Sequence, residues 1–412
     1  MPSITSVVGR LCYNSRGEKT IEIDVITDEK YLGRASAPSG ASVGKYEVTS
    51  FPKNKAEHAL LIFNSNANKF IGLEASDTKA IYDTLRTLDN TSDYSEVGGA
   101  VAYALSIAAV DSAAKALNVP MFKILKRDGP YRFPVPLGNV LGGGAHAGPG
   151  TPDIQEVLVI PIGAKSIDKA LEMNLEVHKE LKNVIERKDK EFTYGRGDEG
   201  GWAPKMNDIQ ALDAVEKACN NCGLDLGNDI AIGVDFATSS LWDEKSKAYV
   251  YLRSGRKLTS ARQIEFVSNL IKDYKLIYAE DPVHEEAFDD MTELTKKFPG
   301  VYITGDDLLV TNVGRLGQAV KQGACNAAIL KVNQAGSLYD AMSFAKEATK
   351  NNIRLITSHR SGESVDAHIA HIAIATDSRM IKSGVLGGER IAKSNELLRI
   401  SETGFIDGMA EV

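Results

Sequence analysis

Residues 4–11 and 20–27 alternate apolar and polar positions and are rich in β-branched side chains, TIEIDVIT being the clearer case; both predict strands. From Arg34 to Gly44 neither the strand nor the helix period holds, and Gly, Ser and Ala dominate, which predicts a loop. Helical spacing follows and ends in the Ala-rich run VGGAVAYALSIAAVDSAAKALN (97–118). Its small residues predict a helix packed closely on its neighbours. Asp128-Gly129-Pro130, followed by Pro134 and Pro136, marks a boundary. The chain is therefore expected to divide into an N-terminal α+β unit, residues 1–128, and a larger C-terminal unit, residues 129–412.

The second unit repeats one pattern. A short run dense in Ile, Val and Leu ends abruptly in a polar residue, and a helical segment follows. The runs are IAIGVD ending at Asp235, LIYAED at Glu280, VYITGDD at Asp306, AAILKVN at Lys331, IRLITSHR at His359 and MIKSG at Lys382. After a longer first interval the spacing settles at 23–28 residues, enough for a strand, a helix and two loops. Buried parallel strands look like this, apolar throughout rather than alternating. Six such units predict a closed β/α barrel, in which reactive groups gather at the C-terminal ends of the strands. The six polar residues are then expected to meet in one cavity.

Composition narrows the setting. With 412 residues, 43% hydrophobic and 25% charged, the chain is long enough for two packed units and ordinary in makeup. A net charge of -7 with interspersed signs disfavours nucleic acid as a partner. No run was expected to be long and apolar enough to cross a bilayer, and the N-terminus lacks a signal-peptide core, so a cytoplasmic location is expected. Cys219 and Cys222 form a C-x-x-C, but no second pair stands at zinc spacing. Gly40 to Tyr46 is one residue short of a P-loop and ends in Tyr where Ser or Thr belongs. Gly195 to Gly200 fits G-x-G-x-x-G without the strand–turn–helix context of a dinucleotide site.

Asp235, Glu280 and Asp306 end three successive strands. Unneutralised carboxylates ~4 Å apart repel by about 4 kcal/mol at an effective dielectric near 20. Either the three lie apart, capping helices or pairing with lysines, or a cation sits between them; oxygen ligands of this kind suit Mg²⁺. Lys331, if a cation lies beside it, should lose proton affinity and serve as a base. The alternative is a salt bridge to one of the carboxylates. Arg360, Ser361 and the backbone around His359 offer donors that hold a phosphate, and Lys382 adds a cation, together implying an anionic substrate. Arg360 could instead pair structurally with Glu363 or Asp366.

SGASVGKYE (39–47), NVLGGGAHAG (139–148), GDEGGWAP (197–204), AEDP (279–282), GDDLLVTN (305–312), LKVNQAGS (330–337) and SHRSGE (358–363) resemble the motifs of the enolase family, in its order and near its spacing. The resemblance runs from SRG near residue 15 to AKSNELLRI at 392–400. It implies an α+β domain capping an unusual β/α barrel that starts with two strands and two helices. It also implies a Mg²⁺-dependent, reversible dehydration of 2-phosphoglycerate to phosphoenolpyruvate, with two ions per site and the second arriving with substrate.

Carried over by motif, Asp235, Glu280 and Asp306 match metal ligands, and Ser42, on a mobile loop, matches a ligand to the second ion. Lys331 matches the base and Glu199 the general acid. His146, Gln155 and Glu156 match positions that contact substrate or support the acid. Arg360 and Ser361 match phosphate contacts, Lys382 the carboxylate contact, and His359 a neighbour linked to closure. Glu22 and Arg399 stand where a pair crosses a dimer interface, so a homodimer or an octamer of dimers is expected. NSRGEKT (14–20) departs from the common DSRGNPT, and GVLGGER (384–390) is shorter than usual. Two other readings remain: a related acid dehydratase or racemase, and a non-catalytic surface-binding protein that has kept the fold.

Overall fold

A computed structural model describes residues 1–41 and 44–412. Ser42 therefore lies outside the described residues. Strands β1 (Ile4–Tyr13), β2 (Lys19–Thr27) and β3 (Tyr31–Ser36) form an antiparallel sheet in that order. The first two are the alternating segments read from the sequence, with Ile21, Ile23 and Val25 of β2 fully buried. The third is a correction, because Arg34–Ser36 was expected to open a loop.

The physical reason is proximity. The helix Gly99–Leu117 packs across β2 and β3, and a Cβ on Gly33 would lie 1.9 Å from the Ala108 carbonyl oxygen and 2.4 Å from the Ser112 nitrogen. Small residues are what a strand pressed onto a helix backbone requires, and they mimic loop composition. This helix is long and apolar enough to span a bilayer by length and composition, contrary to the expectation above, but 78% of it is buried inside the protein. It is the core helix of the N-terminal unit.

The barrel begins with β4 (Val135–Gly142) and β5 (Glu156–Ile160), continues with helices Ile167–Lys188 and Asp208–Asn221, and then reaches β6 (Ala231–Asp235). A small antiparallel sheet, β7 (Trp242–Asp243), β8 (Ala248–Tyr251) and β9 (Arg256–Leu258), follows and accounts for the long first interval in the repeat. β10 (Tyr278–Glu280), β11 (Tyr302–Gly305), β12 (Ala327–Leu330), β13 (Arg354–Ser358) and β14 (Met380–Lys382) complete a closed barrel of eight strands. β14 pairs with β4 to close it. All neighbours are parallel except β5, which runs antiparallel to β4 and β6. The expected plan of two strands and two helices before six β/α units is the one observed.

Side chains two residues apart share a face of a strand. Tyr278 and Met380, below the tips Glu280 and Lys382, join Leu137, Leu158, Ile329 and Ile356 in a buried cluster that floors the barrel. Gly33→Ala should cost about 3 kcal/mol, the upper end for overpacking, because its obstacle is backbone rather than a movable side chain. Urea unfolding monitored by circular dichroism measures it.

Candidate active site

All six predicted strand tips lie at the same end of the barrel. Asp235, Glu280 and Lys382 are the last residues of their strands; Asp306, Lys331 and His359 each follow one directly. Glu156 reaches this end by the opposite route: it is the first residue of the antiparallel β5 and lies opposite Asp235. A cavity of about 250 Å³ opens there, lined by His146, Gln155, Glu156, Glu199, Asp235, Asp306, Lys331, His359, Arg360, Ser361 and Lys382. Glu280 lies beneath it, fully buried.

One side of the cavity is a cluster of carboxylates held by two lysines. Lys382 Nζ lies 2.8 Å from Asp235 Oδ2, 2.9 Å from Glu280 Oε2 and 3.0 Å from Glu156 Oε2. Tyr278 donates its hydroxyl to the same Glu280 oxygen at 2.5 Å. Lys331 pairs closely with Asp306, whose other oxygen accepts a 3.1 Å bond from Gln334. Burial pushes the Glu280 carboxyl up, and the nearby Asp235 charge pushes it further; burial and the Glu199 charge do the same to Glu156.

A loss of proton affinity at Lys331 was expected only with a cation beside it; among the protein's own groups, burial disfavours its charge, but Asp306 more than offsets this and raises its proton affinity. The salt-bridge alternative is realised in the structure. Asp235 and Glu280 thus share Lys382, while Asp306 pairs separately with Lys331. The tight groups of three among the described residues are Asp281, Asp306 and Asp307, and His146, Glu156 and Glu199.

The other side carries Glu199, on a tight turn between two helices. Gly200 has φ +86°, and a Cβ there would lie 2.0 Å from the Leu386 carbonyl; one on Gly197 would lie 2.6 Å from that of His146. These contacts account for two of the three glycines of the G-x-G-x-x-G match: Gly197 and Gly200 let the acidic turn press against two backbones, whereas a Cβ on Gly195 would meet nothing within 4 Å. His359 Nε2 lies 2.9 Å from Glu199 Oε2, and His146 Nε2 lies 3.7 Å from Glu199 Oε1. Burial opposes the charge on His146, but Glu199 and Glu156 raise its pKa to about 9. Burial holds His359 down at about 4 despite Glu199. Glu199 itself is held well below the carboxylate range: burial pushes it up, and the two histidines outweigh that.

Residues 4–125 match the family described as "Enolase, N-terminal domain" and residues 130–407 match "Enolase, C-terminal TIM barrel domain". The chain belongs to the enolase family. It is 43% identical over 405 residues to the enolase of Methanosphaera stadtmanae, covering 98% of each chain. The enolase of Methanothermobacter thermautotrophicus is 41% identical over 401 residues, 97% of this chain and 96% of that one. The Halorubrum lacusprofundi enolase is 40% identical over 412 residues, 98% of this chain and 99% of its own.

In this enolase-family chain Arg360 does not pair with the side chain of Glu363 or Asp366. Its guanidinium forks onto Glu47, at 2.9 Å and 3.1 Å, and reaches Asn333 at 3.2 Å. Glu47 also accepts from the Gly44 nitrogen at 2.9 Å, fastening the SGASVGKYE segment to the HRSGE segment. A second tie is the bridge between Ser39 and Gly362, where a Cβ on Gly362 would lie 2.5 Å from Ser39 Oγ. Glu363 accepts from the Arg360 backbone at 3.0 Å and from the fully buried Lys393 at 2.8 Å. Glu47, Lys393 and the neighbouring Asp281 and Asp307 carried no distinguishing signal in the sequence beyond lying inside or beside quoted motifs.

The family implies a divalent metal, and the donor set fits one. Asp235, Glu280 and Asp306 all offer oxygen, Glu280 Oε1 is buried with no hydrogen-bond partner among the described residues, and four carboxylates share two ammonium groups. Stripping divalent cations with a chelator should therefore lower the melting temperature, and restoring them should raise it. The gain should be about 2.7 kcal/mol at 100 times the dissociation constant, and Asp235→Asn should shrink it. Differential scanning calorimetry reads both.

Proposed function

We propose that this chain catalyses the reversible dehydration of 2-phosphoglycerate to phosphoenolpyruvate, as a hydro-lyase of glycolysis and gluconeogenesis. One observation carries the reading: Lys331, Glu199, Arg360 and the carboxylates Asp235 and Asp306, drawn from separate strands and loops, line a single cavity. A substrate bearing phosphate and carboxylate complements it. Arg360 and Ser361 take the phosphate, Lys382 takes the carboxylate, and His146, Gln155 and Glu156 contact substrate or support the acid.

Lys331, whose proton affinity a cation shared by Asp306 would lower, removes the proton from C2, and the bonding electrons pass to the substrate carboxylate, where Lys382 stabilises the added charge. The C2=C3 bond then forms as the C3 hydroxyl departs, and Glu199 donates the proton that makes the leaving group water. The substrate's own negative charges raise the proton affinity of Glu199 by repulsion, which supports this role for a group ionised in the free site. Asp235, Glu280 and Asp306, with Ser42, would hold Mg²⁺, two ions per site with the second arriving with substrate. Bound there, the ions supply Lewis-acid stabilisation of carboxylate charge.

Residues 1–128 form the capping domain and residues 129–412 the catalytic one, in a cytoplasmic homodimer or an octamer of dimers. Within the chain Glu22 pairs with Arg10 at 2.7 Å, and the exposed Arg399 with Glu396 at 2.6 Å. The other Glu22 oxygen accepts from the Ser36 hydroxyl at 2.9 Å, so the exposed Arg399 is the member of the expected pair more open to a partner subunit.

Lys331→Ala should abolish exchange of the C2 hydrogen with solvent. Glu199→Gln should retain exchange while dehydration, followed by phosphoenolpyruvate absorbance with and without Mg²⁺, falls by about 10²–10⁴-fold. Retained turnover in either variant contradicts the assigned roles. Light scattering at micromolar concentration should give at least a dimer, and a monomer refutes the assembly.

A further inference from the structure

Arg390 is the largest side chain with no exposure in the protein. It occupies the first turn of the helix Gly388–Ser401, and all four of its terminal N–H groups are directed to acceptors. Nη1 donates to His359 Nδ1 at 2.8 Å and to the Arg360 carbonyl at 2.6 Å. Nη2 donates to the Ser361 carbonyl at 2.6 Å and the Asp198 carbonyl at 3.1 Å. The nearest carboxylate oxygen, on Glu389, is 3.4 Å from Nε. Two glycines with positive φ make room for the side chain: a Cβ on Gly384 would lie 3.1 Å from Arg390 Cδ and one on Gly387 3.2 Å from Cγ. A buried guanidinium held mainly by neutral carbonyls is a costly arrangement for stability alone, so a positional role is the better account of it.

A guanidinium does not deprotonate in proteins, so every one of its nitrogens is a permanent donor. The histidine nitrogen that faces it must therefore present a lone pair. That fixes the proton of neutral His359 on Nε2, which points at Glu199 Oε2 from 2.9 Å. With Oε2 occupied by that donor, the oxygen of Glu199 left to carry a transferable proton is Oε1, on the side of His146. The same guanidinium holds the carbonyl of Asp198, the residue before the acid.

We propose that Arg390 is a positioning residue for the protonation step: it locks His359 as an Nε2–H donor and thereby dictates which oxygen of Glu199 delivers the proton. The inference rests on the reading of Glu199 as the general acid.

The test uses the full chain labelled with ¹⁵N-histidine, with the His359 signals assigned by their loss in His359→Gln. In the unaltered protein at neutral pH, His359 should show a bare Nδ1 and a protonated Nε2; a proton on Nδ1 overturns the proposal, whatever any variant does. In Arg390→Lys the Nδ1 signal should move, and dehydration should fall about 10²-fold while C2 exchange stays within about threefold. An unmoved Nδ1 signal, or equal loss of both rates, overturns it. If Arg390→Lys does not fold, His359→Gln and His359→Leu decide. The carboxamide keeps an N–H donor toward Glu199 and should retain at least about tenfold more dehydration than leucine; equal loss overturns the proposal. Failure of the acid assignment is separable, because Glu199→Gln would then either retain dehydration or lose exchange together with it.

Discussion

Four acidic side chains from four different strands are brought together at the mouth of the barrel, and the remainder of the site is arranged around that negative charge. Glu156 and Glu280 are essentially inaccessible to water, and Asp235 and Asp306 nearly so. Such groups persist only when cations or donors reach them. Lys382 reaches three of them from β14 and Lys331 reaches the fourth from the end of β12. Two lysines against four carboxylates leave an excess of negative charge, which adds to burial in the upward push on Glu156 and Glu280. The same deficit suits a divalent cation, for which these oxygens are fitting ligands.

Barrel topology makes this concentration possible. Parallel strands deliver only their C-terminal ends to the mouth. The antiparallel β5 delivers its beginning, so Glu156 and the preceding Gln155 join a ring that parallel strands alone would not complete. Glu199 takes a third route, on a turn where glycines allow backbone to meet backbone. Lys331 and Glu199 are consequently held by independent contacts. Lys331 pairs with Asp306, whereas Glu199 lies against His359, whose other ring nitrogen faces Arg390.

The legible part of the sequence was the part with a strong local contrast. An apolar run that stops at a charged residue marks a buried strand tip, and Asp235, Glu280, Asp306, Lys331, His359 and Lys382 were all found that way. Glu156, His146 and Glu199 have no such contrast. They sit at the start of an antiparallel strand or on loops, and only resemblance to a family singled them out. β3 was missed over Arg34–Ser36 because close packing on a helix demands the same small residues that loops use. Arg390 and Lys393 were invisible for another reason. They lie on a helix near its polar positions, GERIAKSNELLRIS, where charged residues ordinarily face solvent, yet both are buried. Periodicity shows which face a residue occupies, but not whether a neighbouring loop later covers it.

The departure NSRGEKT illustrates how a site tolerates change when chemistry is conserved as a sum. Asn14 Oδ1 accepts from the backbone nitrogens of Arg16 and Glu18, at 2.9 Å and 3.0 Å. Its amide donates to Glu18 Oε2 at 3.1 Å and to Ser39 Oγ at 2.7 Å. The common pattern has an aspartate where Asn14 stands and an asparagine where Glu18 stands, so the acid and the amide have exchanged places. In this chain Glu18 supplies the carboxylate and Asn14 the carboxamide, next to the Ser39–Gly362 bridge that joins the loop to the barrel. The exchange is not neutral in position, however. Glu18 now lies 3.5 Å from Arg16, whose guanidinium also pairs with Asp198 at 3.0 Å, the residue beside the acid. Arg16, with a carboxylate on each side, thereby connects this junction to the turn that carries Glu199.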